Sequence, residues 1–487
     1  MQLNGHRDSV SPLWKVRNVC CIGAGYVGGP TSAVIASKNP SVGVTVTDIN
    51  ERRISAWKSN RLPIFEPGLL ETVQEARDGS ASRRPNLFFT TDIEAAIGAA
   101  DLIFVAVNTP TKTSGRGVGR ASETGFLESA IRTIAEVAET DKIIVEKSTV
   151  PLGTAGLIRE ILDAIGNPGV HFEVLSNPEF LAEGTALKDL LLPDRILIGS
   201  LSSPSGISAC DTLRNLYSTW VPQSKIITTH LLSSELAKLA ANAMLGQRIT
   251  NVNSLSAICE ATGANIEEVS NAVGLDFRIG PKMLNASVGF GGSCFKKDIL
   301  SLAYIAETLH LPEIAAYWTS VLELNEYQKD RFAQRIVRCL YSTLTNKKIA
   351  ILGFAFKKNT GDTRESPAIS ICQALLDEGA QITLYDPKVP KHQIWADLVC
   401  NGGEGTEENI TICETAYQAC HDVNAVVILT EWDEFSNRQP VEPARMDWER
   451  VAKTMRQPRY VFDGRNITDA VELQKLGLRV EHIGKSL

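Results

Sequence analysis

The chain has 487 residues, of which 44% are apolar and 22% charged, with a formal net charge of −7. This length exceeds what one hydrophobic core covers and predicts two or three domains of ordinary globular composition. No apolar run approaches the length of a membrane span, and no basic run indicates a nucleic-acid partner. Residues 1–15 lack the apolar core of a signal peptide, so we expect a cytoplasmic protein.

The ten cysteines are dispersed along the chain. They form no C-x-x-C pair and no Cys/His cluster with metal-ligand spacing, so we expect reduced thiols and no metal. A functional cysteine in such a chain has to be argued from its surroundings.

A dinucleotide-binding unit is predicted near the start of the chain. An apolar strand over 16–22 is followed by the glycine pattern Gly23, Gly25 and Gly28 and by a helix through Ser37. The first glycine makes the tight turn, the second lets the backbone approach a pyrophosphate, and the third allows close helix packing. A glycine pattern alone is weak evidence, but one placed between a strand and a helix predicts dinucleotide binding strongly.

The second strand of this unit, 42–47, ends at Asp48. A carboxylate there would accept hydrogen bonds from a ribose diol and repel a 2′-phosphate, which predicts NAD rather than NADP. Arg53 lies nearby and weakens that preference slightly.

Two further apolar strands end in polar loops. The strand 102–107 runs into residues 108–111, and a strand beginning at 143 runs into Ser148, Thr149 and Pro151. Ligands of open parallel sheets bind at such carboxyl ends. Thr149 is either a turn residue or a site residue, and its position favours the site. The Gly- and Ser-rich segment 112–123 is our candidate for a mobile loop.

The segment 176–186 carries two carboxylates four residues apart, Glu179 and Glu183. A helix would place both on one face, but the neighbouring Pro178 and Gly184 favour a loop. Either acid could position water or a ribose hydroxyl, although most such acids are simply solvated.

A strongly helical composition covers 233–263, and Lys238 and Asn242 share one face of this predicted helix. Lys238 is either a surface lysine or a cleft residue, and its apolar neighbours favour the cleft. Long helices between two α/β halves also commonly form a dimer interface.

A glycine-rich loop presents a thiol at Cys294. Gly289, Gly291 and Gly292 permit a sharp turn and close approach of a ligand. The apolar spacing predicts a helix over 298–309, which places the thiol near the positive N-terminal end of a helix, with two lysines nearby. The alternative is a buried cysteine in an ordinary loop.

The third region repeats the strand, loop, helix, strand order over 346–353, 368–379 and 381–385. Its loop has lost the glycine fingerprint and carries Lys357 and Arg364 instead, which predicts a second Rossmann-type domain for a different anion.

Two more strands are predicted at 425–430 and 460–462, and Arg465 follows the second. Lys357, Arg364 and Arg465 could converge on phosphates. The Gly- and Glu-rich stretch 401–410 indicates a flexible excursion. The predicted fold is α/β, with two Rossmann-like doubly wound domains (1–228 and 343–487) joined by a central helical domain (229–342).

Taken together, these motifs resemble the UDP-glucose/GDP-mannose dehydrogenase family, and within it the eukaryotic UDP-glucose 6-dehydrogenases. The resemblance runs from about Val16 to the end of the chain. The motifs that carry it are Gly23-Ala24-Gly25-Tyr26-Val27-Gly28-Gly29-Pro30, Val107-Asn108-Thr109-Pro110-Thr111, Glu146-Lys147-Ser148-Thr149-Val150, 177–184, Lys238-Leu239-Ala240-Ala241-Asn242, 289–298, Gly353-Phe354-Ala355-Phe356-Lys357-Lys358 and Phe462-Asp463-Gly464-Arg465.

The resemblance implies two successive NAD-dependent oxidations at C6 of UDP-glucose, giving UDP-glucuronate, in a homo-oligomer that is a dimer or an assembly of dimers. It implies that Cys294 is the nucleophile, that Lys238 and Asp298 are its acid/base partners, that Asn242 is an oxyanion donor, and that Thr149 and Glu179 order water and substrate. The alternatives are a sister enzyme acting on GDP-mannose or a UDP-N-acetylhexosamine, and a catalytically silent binder.

The resemblance also implies two sets of binding residues. The NAD set is Gly23, Gly25, Tyr26, Val27, Gly28, Asp48, Arg53, Val107, Asn108, Thr109, Pro110, Thr111, Ser148, Thr149, Glu183, Cys294, Lys297 and Arg364. The UDP-sugar set is Glu179, Phe180, Leu181, Ala182, Glu183, Lys238, Asn242, Arg278, Asn285, Ser287, Phe290, Gly291, Phe356, Lys357 and Arg465. Arg278 matches an arginine donated across a subunit interface, while Asn285 and Lys296 depart from residues common in the family.

Overall fold

The computed structural model describes residues 14–399, 406–438 and 445–485. They form two compact units, the first ending at Ala240 and the second beginning at Ala241. The boundary falls inside one long helix, α9 (Leu231–Thr262). The division into three domains at 228/229 and 342/343 stays a prediction.

The described strands of the first unit form one sheet. They are β1 (Asn18–Ile22), β2 (Gly43–Thr47), β3 (Leu87–Thr90), β4 (Leu102–Val105), β5 (Lys142–Glu146), β6 (Phe172–Ser176), β7 (Ile196–Ser200) and β8 (Ile226–His230). Their order in the sheet is β3-β2-β1-β4-β5-β6-β7-β8. The first six strands in the sheet are parallel and have the order of a dinucleotide-binding domain, in which the strand order reverses between β1 and β4.

The last two strands of this sheet run opposite to the first six. β7 pairs with β6 antiparallel, and β8 pairs with β7 parallel. The hydrophobic pattern of a buried strand does not encode its direction, which explains why the sequence did not reveal this reversal.

Both faces of the first sheet are buried. Along β1, Val19 and Cys21 belong to one hydrophobic cluster, whereas Cys20 and Ile22 belong to another. Successive side chains of a strand point to opposite faces, so helices on both sides of the sheet complete two separate cores. These helices are α1 (Gly28–Lys38), α2 (Glu51–Trp57), α3 (Leu69–Asp78), α4 (Ile93–Ala99), α5 (Gly125–Val137), α6 (Thr154–Ile165), α7 (Ala186–Leu191) and α8 (Pro204–Tyr217).

The second unit contains helices followed by a smaller sheet. Its described strands are β9 (Lys348–Leu352), β10 (Gln381–Tyr385), β11 (Ile410–Ile412), β12 (Ala425–Ile428), β13 (Tyr460–Asp463) and β14 (Arg479–His482). All of their pairings are parallel, in the order β11-β10-β9-β12-β13-β14. This is again the Rossmann order, so the predicted fold class is confirmed.

The described helices of the second unit, beyond its part of α9, are α10 (Ile266–Gly274), α11 (Phe295–Thr308), α12 (Pro312–Cys339), α13 (Pro367–Asp377), α14 (Lys391–Val399), α15 (Ala416–Ala419), α16 (Trp448–Thr454) and α17 (Ala470–Lys475). Short 3-10 helices cover Gln223–Lys225, Thr406–Asn409 and Asp433–Phe435.

Two sequence predictions need correction. The helix after the thiol begins at Phe295 rather than 298, because its first turn is polar and lacks the apolar spacing that predicted the rest. The predicted flexible excursion at 401–410 lies outside the described residues up to 405. Its remainder forms a 3-10 helix and the first residue of β11, so that part is regular structure.

Candidate functional site

The glycine loop after β1 has the geometry that a dinucleotide requires. Gly23 has φ +108, and a Cβ there would lie 2.3 Å from the Ala106 carbonyl oxygen. A Cβ on Gly28 would lie 1.9 Å from the Gly23 oxygen. By contrast, a Cβ on Gly25 would have nothing within 4 Å. Gly25 therefore leaves open space above the start of α1, where a pyrophosphate fits.

Asp48 is buried at the end of β2. Its Oδ2 accepts the Ala24 N–H at 2.9 Å, and its Oδ1 accepts the Asn50 N–H at 2.9 Å. The Arg53 guanidinium also lies 2.8 Å from Oδ2. The carboxylate thus fixes the glycine loop, and Arg53 is its partner in the protein. Its contact with a ribose stays a prediction.

The loops after β4 and β5 are joined to each other. Thr109 Oγ1 donates to the Thr149 carbonyl at 2.6 Å, and Ser148 Oγ donates to the Val107 carbonyl at 2.8 Å. The structure therefore brings these four predicted residues together at the carboxyl ends of adjacent strands. Asn108, Pro110 and Thr111 continue the same loop, and the Glu123 N–H donates to the Pro110 carbonyl at 2.6 Å. The predicted mobility of 112–123 stays a prediction.

Gly25→Ala is expected to weaken NAD binding at least tenfold, or about 1.4 kcal/mol, because its methyl group enters the space of the pyrophosphate. The same substitution has room in the protein and should leave the melting temperature unchanged or raise it. Gly98→Ala in α4, which also has open space, is the matched control. NAD titration by calorimetry measures the effect, and equal affinities for both variants would contradict this placement of the pyrophosphate.

Glu179 lies in a loop before α7, as predicted, and it is anchored on both oxygens. Its Oε1 accepts the N–H groups of Phe180 and Leu181 at 2.8 and 3.2 Å. Its Oε2 lies 2.7 Å from the Nζ of Lys147, a buried lysine that sequence reasoning did not single out. Burial opposes ionisation of Glu179, but Lys147, the Phe180 N–H and Lys238 together outweigh it and hold the pKa of Glu179 below its usual value.

The rest of this loop lies close by. Ala182 donates its N–H to Asp189 at 2.9 Å, and the Tyr26 hydroxyl accepts the Gly184 N–H at 3.2 Å. Glu183 is half-buried between them. The hydrogen bond from Gly184 links the predicted NAD residue Tyr26 to the loop of predicted substrate residues.

Lys238 is buried in α9, as the cleft interpretation predicted. Its Nζ lies 5.1 Å from the centre of the Phe180 ring, and the guanidinium carbon of Arg195 lies 3.8 Å from the same centre. One turn earlier in α9, Glu235 accepts the N–H groups of Gly153 and Ala155 at the start of α6. A carboxylate is favourable there because it meets the positive end of the helix.

In the second unit, Cys294 is exposed at the N-terminal end of α11, so the buried-cysteine alternative is wrong. Gly289 and Gly292 have φ of +120 and +86. The Gly292 N–H donates to the Arg364 carbonyl at 2.9 Å, and a Cβ on Gly291 would lie 2.4 Å from the Glu365 carbonyl oxygen. The glycines therefore let the thiol loop pack directly on the loop after β9.

Asp298 lies one turn into α11 and is buried. Asn242 Nδ2 donates to its Oδ2 at 2.6 Å, and Lys297 Nζ lies 3.9 Å from its Oδ1. The structure thus brings together the predicted oxyanion donor and the predicted acid/base carboxylate.

The segment before the thiol is held by buried amides that sequence reasoning missed. Asn325 accepts the Phe290 N–H at 2.9 Å and donates to the Phe290 carbonyl at 3.1 Å. Gln328 donates to the Ser287 carbonyl at 2.7 Å, and Asn253 accepts the Ser287 N–H at 2.8 Å. The spacing of Asn325 and Gln328 on one face of α12 was the available signal.

The basic residues of the second sheet have protein partners. Arg465 donates to the carbonyls of Leu429 and Phe356, at 2.6 and 2.9 Å, which places it beside Lys357. Arg364 instead pairs with Asp362 at 2.9 Å. The structure brings Arg465, Phe356 and Lys357 together. Convergence of Lys357, Arg364 and Arg465 on a phosphate stays a prediction.

Arg278 and Asn285 lie on an exposed segment. The Arg278 side chain is 76% exposed and pairs with Asp276. Asn285 is exposed as well. Lys296, the other residue that departs from the family pattern, forms an ion pair with Glu365 at 2.8 Å. This ion pair joins α11 to the loop after β9, which also contacts Gly291.

The second Rossmann-like sheet has an acid at the position that corresponds to Asp48. Asp386 Oδ2 accepts the N–H groups of Phe354 and Ala355 and the Trp432 indole N–H. Its Oδ1 accepts the N–H groups of Lys388 and Val389. Five protein donors occupy this carboxylate, so it is not available to a ribose.

Within residues 14–399, 406–438 and 445–485, no group of three His, Cys, Asp or Glu side chains has an arrangement that could hold a metal ion. In the same ranges, no helix has both the length and the apolar character to cross a membrane. The cytoplasmic location and the absence of a nucleic-acid partner stay predictions.

Three models of one family cover most of the chain. Residues 17–221 match the NAD binding domain of the UDP-glucose/GDP-mannose dehydrogenase family, residues 232–327 its central domain, and residues 350–470 its UDP binding domain. The predicted NAD-binding domain is confirmed.

Similar proteins span nearly the whole chain. A UDP-glucose 6-dehydrogenase of Drosophila melanogaster is 55% identical, covering 96% of each chain, and one of Glycine max is 53% identical, covering 96% of this chain and 97% of its own. A solved UDP-glucose dehydrogenase from the archaeon Pyrobaculum islandicum is 28% identical with a TM-score of 0.80, covering 98% of this chain and all of its own. The chain therefore belongs to the UDP-glucose/GDP-mannose dehydrogenase family.

Proposed function

We propose that this protein oxidises the C6 alcohol of UDP-glucose to the carboxylate of UDP-glucuronate in two NAD-dependent steps. The observation that carries the proposal is the exposed Cys294 thiol at the positive end of α11, followed one turn later by the Asn242–Asp298 pair. Such a thiol can carry an acyl group, which distinguishes a four-electron oxidation from a simple alcohol dehydrogenase.

The residues of the chain divide the work as follows. Bound NAD supplies the hydride acceptor for each oxidation. As the first hydride leaves C6, Asp298 takes the alcohol proton through a water molecule. The Cys294 thiolate then adds to the aldehyde carbon, the oxygen regains a proton by way of water, and the thiohemiacetal remains attached to the protein. Departure of the second hydride from C6, with return of the hydroxyl proton to water, leaves a thioester. Water cleaves the thioester to release the carboxylate and regenerate the thiol.

Oxygen bears negative charge in both addition steps, and hydrogen-bond donors stabilise it. Lys238 and Asn242 are the proposed donors, each worth about 3 kcal/mol in related sites. They lie on the same face of α9, one turn apart. Thr149 and Glu179 are the proposed residues that order water and sugar. Because Glu179 is paired with Lys147, we expect its carboxylate to stay ionised throughout the catalytic cycle.

The substrate is tested by comparing nucleotide sugars. We expect UDP-glucose to give a kcat/KM at least a hundredfold above those of GDP-mannose and the UDP-N-acetylhexosamines, in an assay of NADH absorbance. A preference for another sugar would identify a sister activity, for which the exposed Asn285 is the residue to examine. Binding of UDP-glucose without NADH formation would indicate a silent binder.

We also propose that Arg278 acts in the site of a partner subunit. It is exposed, and the flanking Leu275 and Phe277 are 86% and 92% exposed, which is costly for apolar side chains in a lone subunit. Such a segment fits a contact with a second copy of the chain, although the order of the oligomer is not specified by it.

Arg278→Ala and Cys294→Ser are each expected to be inactive alone, yet a mixture of the two should regain activity after subunit exchange. In a mixed assembly the Cys294→Ser subunit supplies Arg278 to an intact thiol site. Phe277→Asp should reduce the particle mass measured by light scattering. If mixed assemblies form and remain inactive, Arg278 acts within its own subunit.

A further inference from the structure

Lys147 is a buried lysine to which the proposed reaction assigns no role. It follows β5, and its side chain is 2% exposed. Its Nζ lies 2.7 Å from Glu179 Oε2, 3.1 Å from Asn177 Oδ1 and 3.4 Å from the Tyr217 hydroxyl. Burial of an ammonium costs several kcal/mol unless it is paired. In this protein, three hydrogen-bond acceptors surround the buried ammonium.

These acceptors form a closed network. The Tyr217 hydroxyl donates to Asn177 Oδ1 at 2.7 Å, and Asn177 Nδ2 donates to the Leu197 carbonyl at 2.7 Å. Burial opposes the charge of Lys147, but Glu179 and Tyr217 outweigh it and raise the pKa of Lys147. Lys147 therefore remains an ammonium. Besides these groups it faces the carboxyl group of Glu146 and the thiol of Cys21.

The ammonium determines what Glu179 can do. One carboxylate oxygen lies against Lys147, and the other accepts the N–H groups of Phe180 and Leu181. Held in this way, Glu179 is a weak base, and its contacts fix the backbone at Phe180. The Phe180 ring in turn lies 5.1 Å from the Lys238 ammonium. A continuous set of contacts thus runs from Lys147 through Glu179 and Phe180 to Lys238.

We propose that Lys147 is a positioning residue that keeps Glu179 ionised and, through Phe180, sets the place of Lys238. In this arrangement Glu179 is the anchor of its loop rather than the group that takes a proton from substrate or water. The inference deepens the proposed function and rests on it, because Lys238 is a proposed donor of that reaction.

The test compares Lys147→Met with Lys142→Met. Lys142 is a fully buried lysine at the start of the same strand, where its Nζ donates to the carbonyls of Gly98 and Ala100. Both variants lose a buried ammonium and are expected to melt at lower temperature. Only Lys147→Met removes the partner of Glu179.

In Lys147→Met, the pKa of Glu179 should rise, because burial is then opposed only by the Phe180 N–H and the more distant Lys238 ammonium. A carboxylate that must be ionised loses activity as the pH falls through its pKa. The acid limb of the kcat profile for UDP-glucose should therefore move up by at least one pH unit, with kcat reduced at least tenfold at pH 7. In Lys142→Met and Lys147→Arg, the acid limb of the kcat profile should stay at the wild-type pH. An unmoved limb in Lys147→Met would overturn the proposal.

The double variant Lys147→Met/Glu179→Gln distinguishes two possible roles of Glu179, as an anchor of its loop or as a base that transfers a proton. Glu179→Gln alone leaves an ammonium without its carboxylate and should be strongly impaired. If Glu179 is an anchor, the neutral pair should regain at least tenfold in kcat over Glu179→Gln and should match Lys147→Met at a pH below the acid limb, where Glu179 is protonated. A double variant as inactive as Glu179→Gln would show that Glu179 itself transfers the proton. Failure of the proposed function is distinguishable, because the wild-type protein would then form no NADH from UDP-glucose.

Discussion

Cys294→Ser is expected to abolish steady-state formation of UDP-glucuronate, with a loss of at least a thousandfold, while UDP-glucose and NAD still bind. A serine hydroxyl at this position lacks the acidity of a thiol, so neither the addition to the aldehyde nor the release of an acyl group proceeds at a useful rate. The exposed position of Cys294 at the end of α11 allows the substitution without repacking of a core.

Product analysis by chromatography, together with calorimetric binding of both ligands, measures this effect. Cys413→Ser is the matched control, because Cys413 is also partly accessible but lies after β11, away from the thiol loop. We expect wild-type turnover from that control. Turnover by Cys294→Ser near the wild-type rate would remove Cys294 from the mechanism.

Asn242→Ala should lower kcat by a factor of about one hundred to one thousand, the usual cost of one oxyanion donor. The same substitution removes the donor that lies 2.6 Å from the buried Asp298 carboxylate, so a stability loss of about 1–3 kcal/mol is expected as well. Asn242→Asp should be worse, because two carboxyl groups would then share one buried site and one of them would be forced to keep a proton.

Asn251→Ala is the matched control for Asn242→Ala. Asn251 lies on the same helix but is exposed, and its substitution should change neither kcat nor the melting temperature noticeably. Rates from initial NADH formation and stabilities from thermal unfolding distinguish the two effects. An Asn242→Ala variant that loses stability but keeps kcat would make this amide structural only.

Features that depend on neighbouring residues were predictable from the sequence. The turn at Gly23, the helix α1 after the glycine pattern and the acid at Asp48 follow from local steric and hydrogen-bonding needs, and the structure places them as expected. The same holds for α9 and for the order of strand, helix and strand in the second sheet.

Features that depend on distant parts of the chain were not predictable. Nothing local marks Lys147 as buried, since its partners Asn177, Glu179 and Tyr217 come from other elements. The hydrogen bond between Asn325 and Phe290 and the antiparallel direction of β7 also depend on distant parts of the chain. A side chain acquires such a role only when the fold brings its partner to it.

The number of NADH molecules formed per molecule of UDP-glucose consumed tests the thiol-carried mechanism most directly. With limiting UDP-glucose and excess NAD, the thiol-carried mechanism predicts two NADH and one UDP-glucuronate. One NADH with release of an aldehyde would contradict it, because Cys294 would then carry no acyl group and the reaction would end after the first oxidation.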